Sequence, residues 1–323
     1  MSTPLPLISV VIPSFNCLKY LPQAVNSVLE QDYPNLELII VDDGSTDGSR
    51  EWLRNFTLGY DGAVTALYDK GLGAGGARNL GVSYAKGELV AFLDADDLWE
   101  PGKLERQVAY HQQNPDAVLS FTDYVHVHEN NSAVICGCFE FWPHFQEVAL
   151  SGLRAGDKRD HAYCTLARAT STLYVENVVG TSSVMVSRDA FFAVGGFDVS
   201  LLSASDWDLW LKLSTVGDVG FTLAQDMRYL IRRGAISRSM GKRLAAVRTI
   251  LSRHMDTATA QDPQSLRLAQ AQLAAAYRDY HRSRGEWWKA TASGMSAFLK
   301  QPTRRHLKGV INSLLAHREV RLQ

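Results

Sequence analysis

Cysteine is scarce in this sequence: four in 323 residues, Cys17, Cys136, Cys138 and Cys164, with no C-x-x-C spacing among them. That is too few and too scattered for a disulfide framework. His126 and His128 stand near Cys136 and Cys138, but their spacing fits no standard zinc finger, and alternation along a strand accounts for the two histidines better. No apolar run approaches the roughly 18 residues that a membrane-crossing helix needs, so none is expected. The first apolar run has no basic segment before it, which argues against a secretory leader. Internal repeats are absent. These absences make a cytoplasmic protein the expectation.

Net charge is also small, −1, but the charge is unevenly placed. From Arg228 to Gln323 there are 19 Lys/Arg against 5 Asp/Glu, leaving 14 basic and 29 acidic residues in the rest. Such opposed halves suggest two tasks. At 46% hydrophobic and 21% charged the composition is that of an ordinary globular chain with a substantial core.

What is present is a strand–helix alternation at short spacing. Ile8–Ile12 reads as a buried strand ending at Pro13, followed by a helix over about Leu18–Gln31. A second strand, Leu36–Val41, runs into Asp42-Asp43-Gly44-Ser45, with Ser45 or Asp47 able to cap the next helix. A third, Val64–Tyr68, leads into Gly71-Leu72-Gly73-Ala74-Gly75-Gly76 and a helix over Ala77–Ala85. A fourth, Leu89–Leu93, runs into Asp94-Ala95-Asp96-Asp97, and Pro101 stands near the start of a helix reaching about Gln113. Val118–Val127 and Val178–Ser187 are strand-like, and residues 128–176 between them are irregular, with a charged stretch at Arg154–His161. The chain reads as helical from Gly241, with a break at Gln301-Pro302. The pattern implies an α/β fold, a mostly parallel sheet with helices on both faces. Ligands of such sheets bind beyond the carboxyl ends of the strands, where the polar motifs fall.

Two acidic clusters at strand ends are costly unless something balances them. Asp94, Asp96 and Asp97 offer hard oxygen ligands on a turn, suited to Mg²⁺ or Mn²⁺, and such an ion keeps positions for the phosphate oxygens of a diphosphate ligand. Asp42 and Asp43 can accept hydrogen bonds from a nucleobase N–H or from ribose hydroxyls. The plainer reading of any one of these acids is a solvated turn or a helix cap. Two clusters in one parallel sheet favour the ligand reading.

Gly71–Gly76 is literally G-x-G-x-x-G, with Asp94 at about the distance of a ribose-binding acid. In a dinucleotide fold, however, that fingerprint belongs to the first strand–turn–helix unit. Here it belongs to the third, the first carries Pro13-Ser14-Phe15-Asn16, and the acid is embedded in a D-x-D-D cluster. A turn lining a sugar-nucleotide cleft explains these residues better.

The segments ISVVIPSFN, LIIVDDGSTDGS, GGARNLG and GELVAFLDADD, in this order, with SSVMVSRDAF, GGFD and SDWDLWLKL further on, closely resemble the family 2 glycosyltransferases over roughly residues 7–240. The resemblance implies the GT-A fold, a nucleotide-diphospho-sugar donor, Mn²⁺ or Mg²⁺, and transfer with inversion. Carried over residue by residue, it gives Pro13 and Phe15 to the nucleotide-contacting turn, with Asp42 beside Asp43, the carboxylate that holds the base. Arg78 falls near the nucleotide, Asp94 and Asp96 form the D-x-D pair with Ala95 between them, and Asp97 is an alternative metal ligand. Asp206 is the general base; its plainer alternative is the N-cap of the helix beginning at Trp207, one residue can do both, and Asp208 is the fallback base. Two departures stand out. Ser205 replaces the usual Glu before the base, and Leu230 and Arg232 occupy a usual Arg-x-His, so that Arg232 or Arg233 could meet the diphosphate directly.

The expected organisation is a catalytic domain over 1–240, with a nucleotide-sugar half to 127 and an acceptor half from 128, then a basic helical region over 241–323. The resemblance implies a glycan or lipid-linked saccharide acceptor in cell-surface polysaccharide synthesis. Trp287, Trp288 and Phe298 interleaved with Lys and Arg suit either packing on the rest of the chain or peripheral contact with the inner face of a membrane. A nucleic-acid partner has no other support. Two other readings stay open: an NAD(P)-dependent oxidoreductase with no metal requirement, and a sugar-nucleotide-binding protein with impaired turnover, motivated by Ser205 and Arg232.

Overall fold

A computed structural model describes residues 5–60, 63–129, 133–151, 162–231 and 240–321. The first half alternates as the pattern implied: β1 (Ile8–Ser14), α1 (Leu21–Leu29), β2 (Leu36–Asp42), α2 (Ser49–Thr57), β3 (Val64–Tyr68), α3 (Gly73–Tyr84), β4 (Leu89–Phe92), β5 (Leu98–Trp99), α4 (Lys103–Gln113) and β6 (Ala117–His128). Then follow β7 (Val134–Gly137), a turn of helix α5 (Pro143–Phe145), β8 (Cys164–Thr165), α6 (Ala169–Val175), β9 (Met185–Ser187), α7 (Arg188–Ala193), α8 (Ser205–Leu213) and β10 (Asp218–Ile231). Four helices close the chain: α9 (Met240–Gln261), α10 (Ser265–Ser283), α11 (Trp287–Lys300) and α12 (Arg304–Arg321).

The strands form one ten-stranded sheet, in the order β3-β2-β1-β4-β9-β6-β10-β5, with β7 on β6 and β8 on β10. β1 runs parallel to β2 and β4, β2 to β3, and β6 to β10. β9 is antiparallel to both β4 and β6, so all the long strands point the same way. β1 is apolar on both sides because both are covered. Ile8, Val10 and Ile12 join Leu38 and Ile40 in a core with Leu21, Val25 and Val28 of α1. Val11 faces α3 on the other side, where a Cβ on Gly81 would lie 2.4 Å from Val11 Cγ1. A glycine there lets the helix settle close to the sheet.

Several local expectations shift for identifiable reasons. The strand expected over Val178–Ser187 is confined to β9, because Thr181–Ser183 forms a 3₁₀ turn in which Ser183 Oγ donates to Gly180 O at 2.7 Å. Short hydroxyl side chains offer the backbone such local alternatives. α3 begins at Gly73 rather than Ala77, since the distant Asp43 caps it. The N-cap of α2 is Gly48 at φ +95°, and neither Ser45 nor Asp47. Asp47 instead accepts from the N–H groups of Ser49 (3.0 Å) and Leu18 (2.9 Å).

The chain divides into two compact units. The first holds Met1–Ala169, Val178–Ser200 and Ser205–Arg233; the second holds Thr170–Asn177, Leu201–Ala204 and Gly234–Gln323. The residues on either side of the anticipated 127/128 division share one sheet in the first unit. The second is helical, as the Ala- and Leu-rich pattern implied, and it also takes in most of α6. Tyr174 Oη donates to Leu251 O at 2.8 Å, and Ser171 N to Gln261 Oε1 at 3.0 Å. Among the described residues no helix is long and apolar enough to cross a membrane.

His111 of α4 is buried, with Nε2 3.0 Å from Ser120 Oγ, and burial pulls its pKa from 6.5 down to about 4. The unfolded chain therefore takes up this proton first, and the folded state loses stability as pH falls from about 6.5 toward about 4. Urea unfolding across that range, compared between the wild type and His111→Gln, should show a shallower decline in the variant. Parallel declines would remove His111 from the account.

Candidate active site

The loops beyond β1 and β2 are fastened together. Asn16, at φ +50°, donates its N–H to Ser45 Oγ (2.9 Å) and accepts from Thr46 N through Oδ1 (2.8 Å). Asn tolerates this left-handed backbone better than most residues. Pro13 is half-buried within β1, and Phe15 just beyond it stands 57% exposed on the rim, free to stack on a flat ligand.

The first acidic pair is held by the protein's own donors. Asp42 is buried, and its Oδ1 accepts from the N–H groups of Gly44 (3.2 Å) and Ser45 (3.1 Å) and from Arg50 Nε (3.0 Å). Asp43 sends Oδ1 to Leu72 N at 2.7 Å and Oδ2 to Gly73 N at 2.8 Å. Both acids were expected to face a base or a ribose. The physical reason for the difference is that a carboxylate this deep needs donors, and the free N–H groups at a helix start supply them. The same bonds bear on the Gly-rich turn. A dinucleotide turn presents its helix N-terminus to the pyrophosphate, whereas here Asp43 already occupies it.

The second cluster alternates along the chain. Asp94 and Asp96 are half-exposed, while Ala95 and Asp97 are buried. Arg78, buried in α3, pairs with Asp94 through Nη2, lies 5.4 Å from the Phe197 ring, and has an Nε with no hydrogen-bond partner among the described residues. Asn79 beside it grips the Phe197 backbone in both directions, at 2.9 Å each. Asp97 departs from the expectation of a metal ligand. Its Oδ2 accepts from Ser182 Oγ at 2.6 Å and its Oδ1 from Leu230 N at 3.2 Å. Burial, then the charges of Asp96 and Asp94, push its pKa well above the usual carboxylate range.

The 3₁₀ turn at 181–183 joins this cluster to the expected base. Ser182 Oγ also accepts from Asp94 N at 3.0 Å, Ser182 O accepts from Trp99 Nε1 at 2.7 Å, and Thr181 Oγ1 donates to Asp206 Oδ2 at 3.1 Å. Asp206 is half-exposed and lies inside the first turn of α8 instead of capping it, with Oδ1 accepting from Trp207 N at 2.8 Å. Asp208 is buried beside Lys212 at 3.2 Å, facing away from such a role. Ser205 is near the Gly-rich helix start, 3.3 Å from where a Cβ on Gly75 would be. Arg232 and Arg233 lie outside the described residues, and Leu230 contributes its backbone N–H to Asp97. Thr181, Ser182, Asn79 and Phe197 were visible only as fragments of motifs, since nothing in their order says which would meet.

The donor set fits a hard divalent ion. Among the described residues no three His, Cys, Asp or Glu side chains converge. Asp94 and Asp96 are two oxygen ligands on the open side of a turn, and Mg²⁺-type ions are commonly held by one or two carboxylates with phosphates and water completing the shell. The unpartnered Nε of Arg78 beside them suits a phosphate oxygen.

Residues 9–158 match the family model described as Glycosyl transferase family 2. Over 120 residues the chain is 43% identical to the putative teichuronic acid biosynthesis glycosyltransferase TuaG of Bacillus subtilis (strain 168), covering 37% of this chain and 47% of that one. The chain spans less than half the length of the curated relatives it matches at 38–46% identity. S. aureus TarS 1–349 superposes with a TM-score of 0.60 at 16% identity, covering 95% of this chain and 88% of that one. The mannosyltransferase PcManGT from Pyrobaculum calidifontis, solved in complex with GDP-Man and Mn²⁺, gives 0.58 at 20% identity, covering 97% and 86%. These two likenesses concern the fold, which is GT-A.

Ser182→Ala removes the donor to buried Asp97 and the acceptor of Asp94 N together. It should cost about 1–3 kcal/mol, the penalty of leaving a buried polar group unsatisfied, read by urea unfolding. An unchanged midpoint would mean that the turn is held by its other contacts.

Proposed function

From the match of residues 9–158 to the glycosyl transferase family 2 model, we propose that the chain is an inverting, metal-dependent glycosyltransferase. It moves a sugar from a nucleotide-diphospho-sugar to a glycan or lipid-linked saccharide acceptor, in the synthesis of a cell-surface polysaccharide. One observation carries the reading: the backbone N–H of Asp94, beside half-exposed Asp96, and the carboxylate of half-exposed Asp206 are bonded to consecutive residues of one turn, Ser182 and Thr181. Its likeness to TuaG, a putative teichuronic acid biosynthesis glycosyltransferase, supports the reading.

In this reading Phe15 stacks on the base, with Pro13 shaping the strand end beneath it. Asp43 reaches the base by exchanging one of its backbone donors, and Asp42 keeps the loop beside it in shape. Asp94 and Asp96, with Ala95 between them, would hold Mn²⁺ or Mg²⁺, which supplies positive charge for the departing diphosphate. Arg78, with Arg232 from outside the described residues, adds guanidinium charge to the same oxygens. Asp206 takes the proton of the acceptor hydroxyl, and the Thr181 hydroxyl fixes which of its oxygens faces the acceptor. Because no covalent intermediate is needed, one carboxylate suffices.

The second unit adds a proposed partner. Trp288 and Leu299 of α11 and Leu307, Ile311 and Leu315 of α12 are exposed, and Arg304, Arg305 and Lys308 are exposed on α12 as well. An apolar stripe bordered by cations fits an anionic lipid surface.

A thermal-shift screen of UDP, GDP, dTDP, CMP and NAD(P), each with Mn²⁺ and with chelator, tests the donor reading. Metal-dependent stabilisation by one nucleoside diphosphate is expected, and stabilisation by NAD(P) alone would overturn it. Asp206→Asn should keep that stabilisation and lose about 10²–10⁴-fold in turnover; an unchanged rate would remove Asp206 as the base. The full chain should sediment with vesicles containing phosphatidylglycerol and not with pure phosphatidylcholine. Ile311→Glu should abolish that sedimentation. Failure of the wild type to sediment ends the membrane proposal.

A further inference from the structure

An aromatic patch lies on the sheet face formed by β6 and β10 beside the candidate site. Even-numbered residues of β6 point toward one face of the sheet, and on it the rings of Tyr124 and His126 meet Tyr229 of β10 and Phe141, which follows β7. The His126 ring lies 5.5 Å from Phe141 at 87°, 5.4 Å from Tyr229 at 64° and 5.4 Å from Tyr124 at 51°. Phe141 is 52% exposed, and His126 and Tyr229 are half-exposed. A patch serving only the core would bury Phe141.

The patch is continuous with the candidate site at both of its inner corners. Tyr229 precedes Leu230, whose N–H donates to Asp97. Tyr124 presses on Gly180, where a Cβ would sit 2.7 Å from Tyr124 Cε1, and the next residue, Thr181, holds Asp206. At the outer end of β6, Glu129 accepts from Lys19 Nζ at 2.6 Å and from Tyr20 Oη, which ties the strand to the loop that carries Phe15.

We propose that His126, Phe141 and Tyr229, backed by Tyr124, form the platform on which the acceptor saccharide lies. The proposal rests on the transferase reading above. The C–H face of a pyranose ring is apolar and its rim is polar. Aromatic rings with polar edges, His and Tyr among them, present matching surfaces, apolar on the ring face and hydrogen-bonding at the tip. Burial lowers the His126 pKa below 6.5, against an opposing backbone hydrogen bond to Cys136, so the ring is neutral at pH 7 and stacks without the cost of desolvating a charge. An acceptor lying here has its hydroxyl on the Thr181–Asp206 side, where the base is.

Saturation-transfer NMR on the full chain tests this, with the methyl glycosides of glucose, galactose, mannose and N-acetylglucosamine, plus maltotriose and chitotriose, as probes. At least one probe should receive saturation in the wild type. Phe141→Ala should weaken that binding about three- to tenfold, the worth of one aromatic contact, and Phe141→Trp should restore it. Phe141→Leu serves if the alanine variant melts early. Binding unchanged in the alanine or leucine variant, or no probe bound by the wild type, overturns the platform. The nucleoside-diphosphate shift of the wild type is read separately. Its absence topples the transferase reading, and its presence beside variant-insensitive glycoside binding topples the platform alone.

Discussion

Carboxylates at the ends of a parallel sheet have to be matched with donors, and the first unit is organised around that requirement. Asp42 takes Arg50 and two backbone N–H groups, Asp43 takes the start of α3, and Asp94 takes Arg78. Asp97 takes Ser182 and Leu230, and Asp206 takes Thr181. Except for the Asp42 loop and its neighbour Arg50, each match joins segments far apart in the chain. Leaving any one out would strand a charge or a polar group in a poorly solvated place. Satisfying the acids and assembling the cleft are therefore one process.

The Gly-rich turn shows how this requirement decides function. Its sequence alone fits a phosphate-binding helix start, and its glycines do adopt left-handed backbone, φ +82° at Gly71 and +68° at Gly73. The N–H groups that would meet a phosphate are spent on Asp43. The helix then serves as a bracket, carrying Arg78 to Asp94 and Asn79 to the Phe197 loop. The cationic group nearest the second acidic cluster is then a guanidinium, that of Arg78.

Much of the fold was legible. The buried strands β1, β2 and β4 show in runs of Val, Ile and Leu, because a strand covered on both faces is apolar along most of its length, and the helical character of the C-terminal stretch shows in its composition. The exposure of Asp94 and Asp96 against the burial of Ala95 and Asp97 was less accessible. It follows from period-two alternation, but only once the strand end is placed. The turn at 181–183 lies in a stretch with a strand-like pattern, but Ser183 bonds locally to Gly180 while Thr181 and Ser182 find partners, Asp206 and Asp97, that the local sequence does not contain. The aromatic patch was invisible for a similar reason, being drawn from β6, β10 and the segment after β7.

The sequence by itself determined the α/β alternation, the two acidic clusters at strand ends, the order of the motifs and the basic helical stretch. All of these are local patterns of hydrophobicity, charge and motif order. Tertiary structure decided which acid meets which donor, so that Asp97 turns inward while Asp94, Asp96 and Asp206 remain half-open. It also decided that Thr181 and Ser182 join the two sides of the site. Hydrogen-bond pairing across 16 to 133 residues of chain depends on the packed positions of strands and loops, and no local preference encodes that.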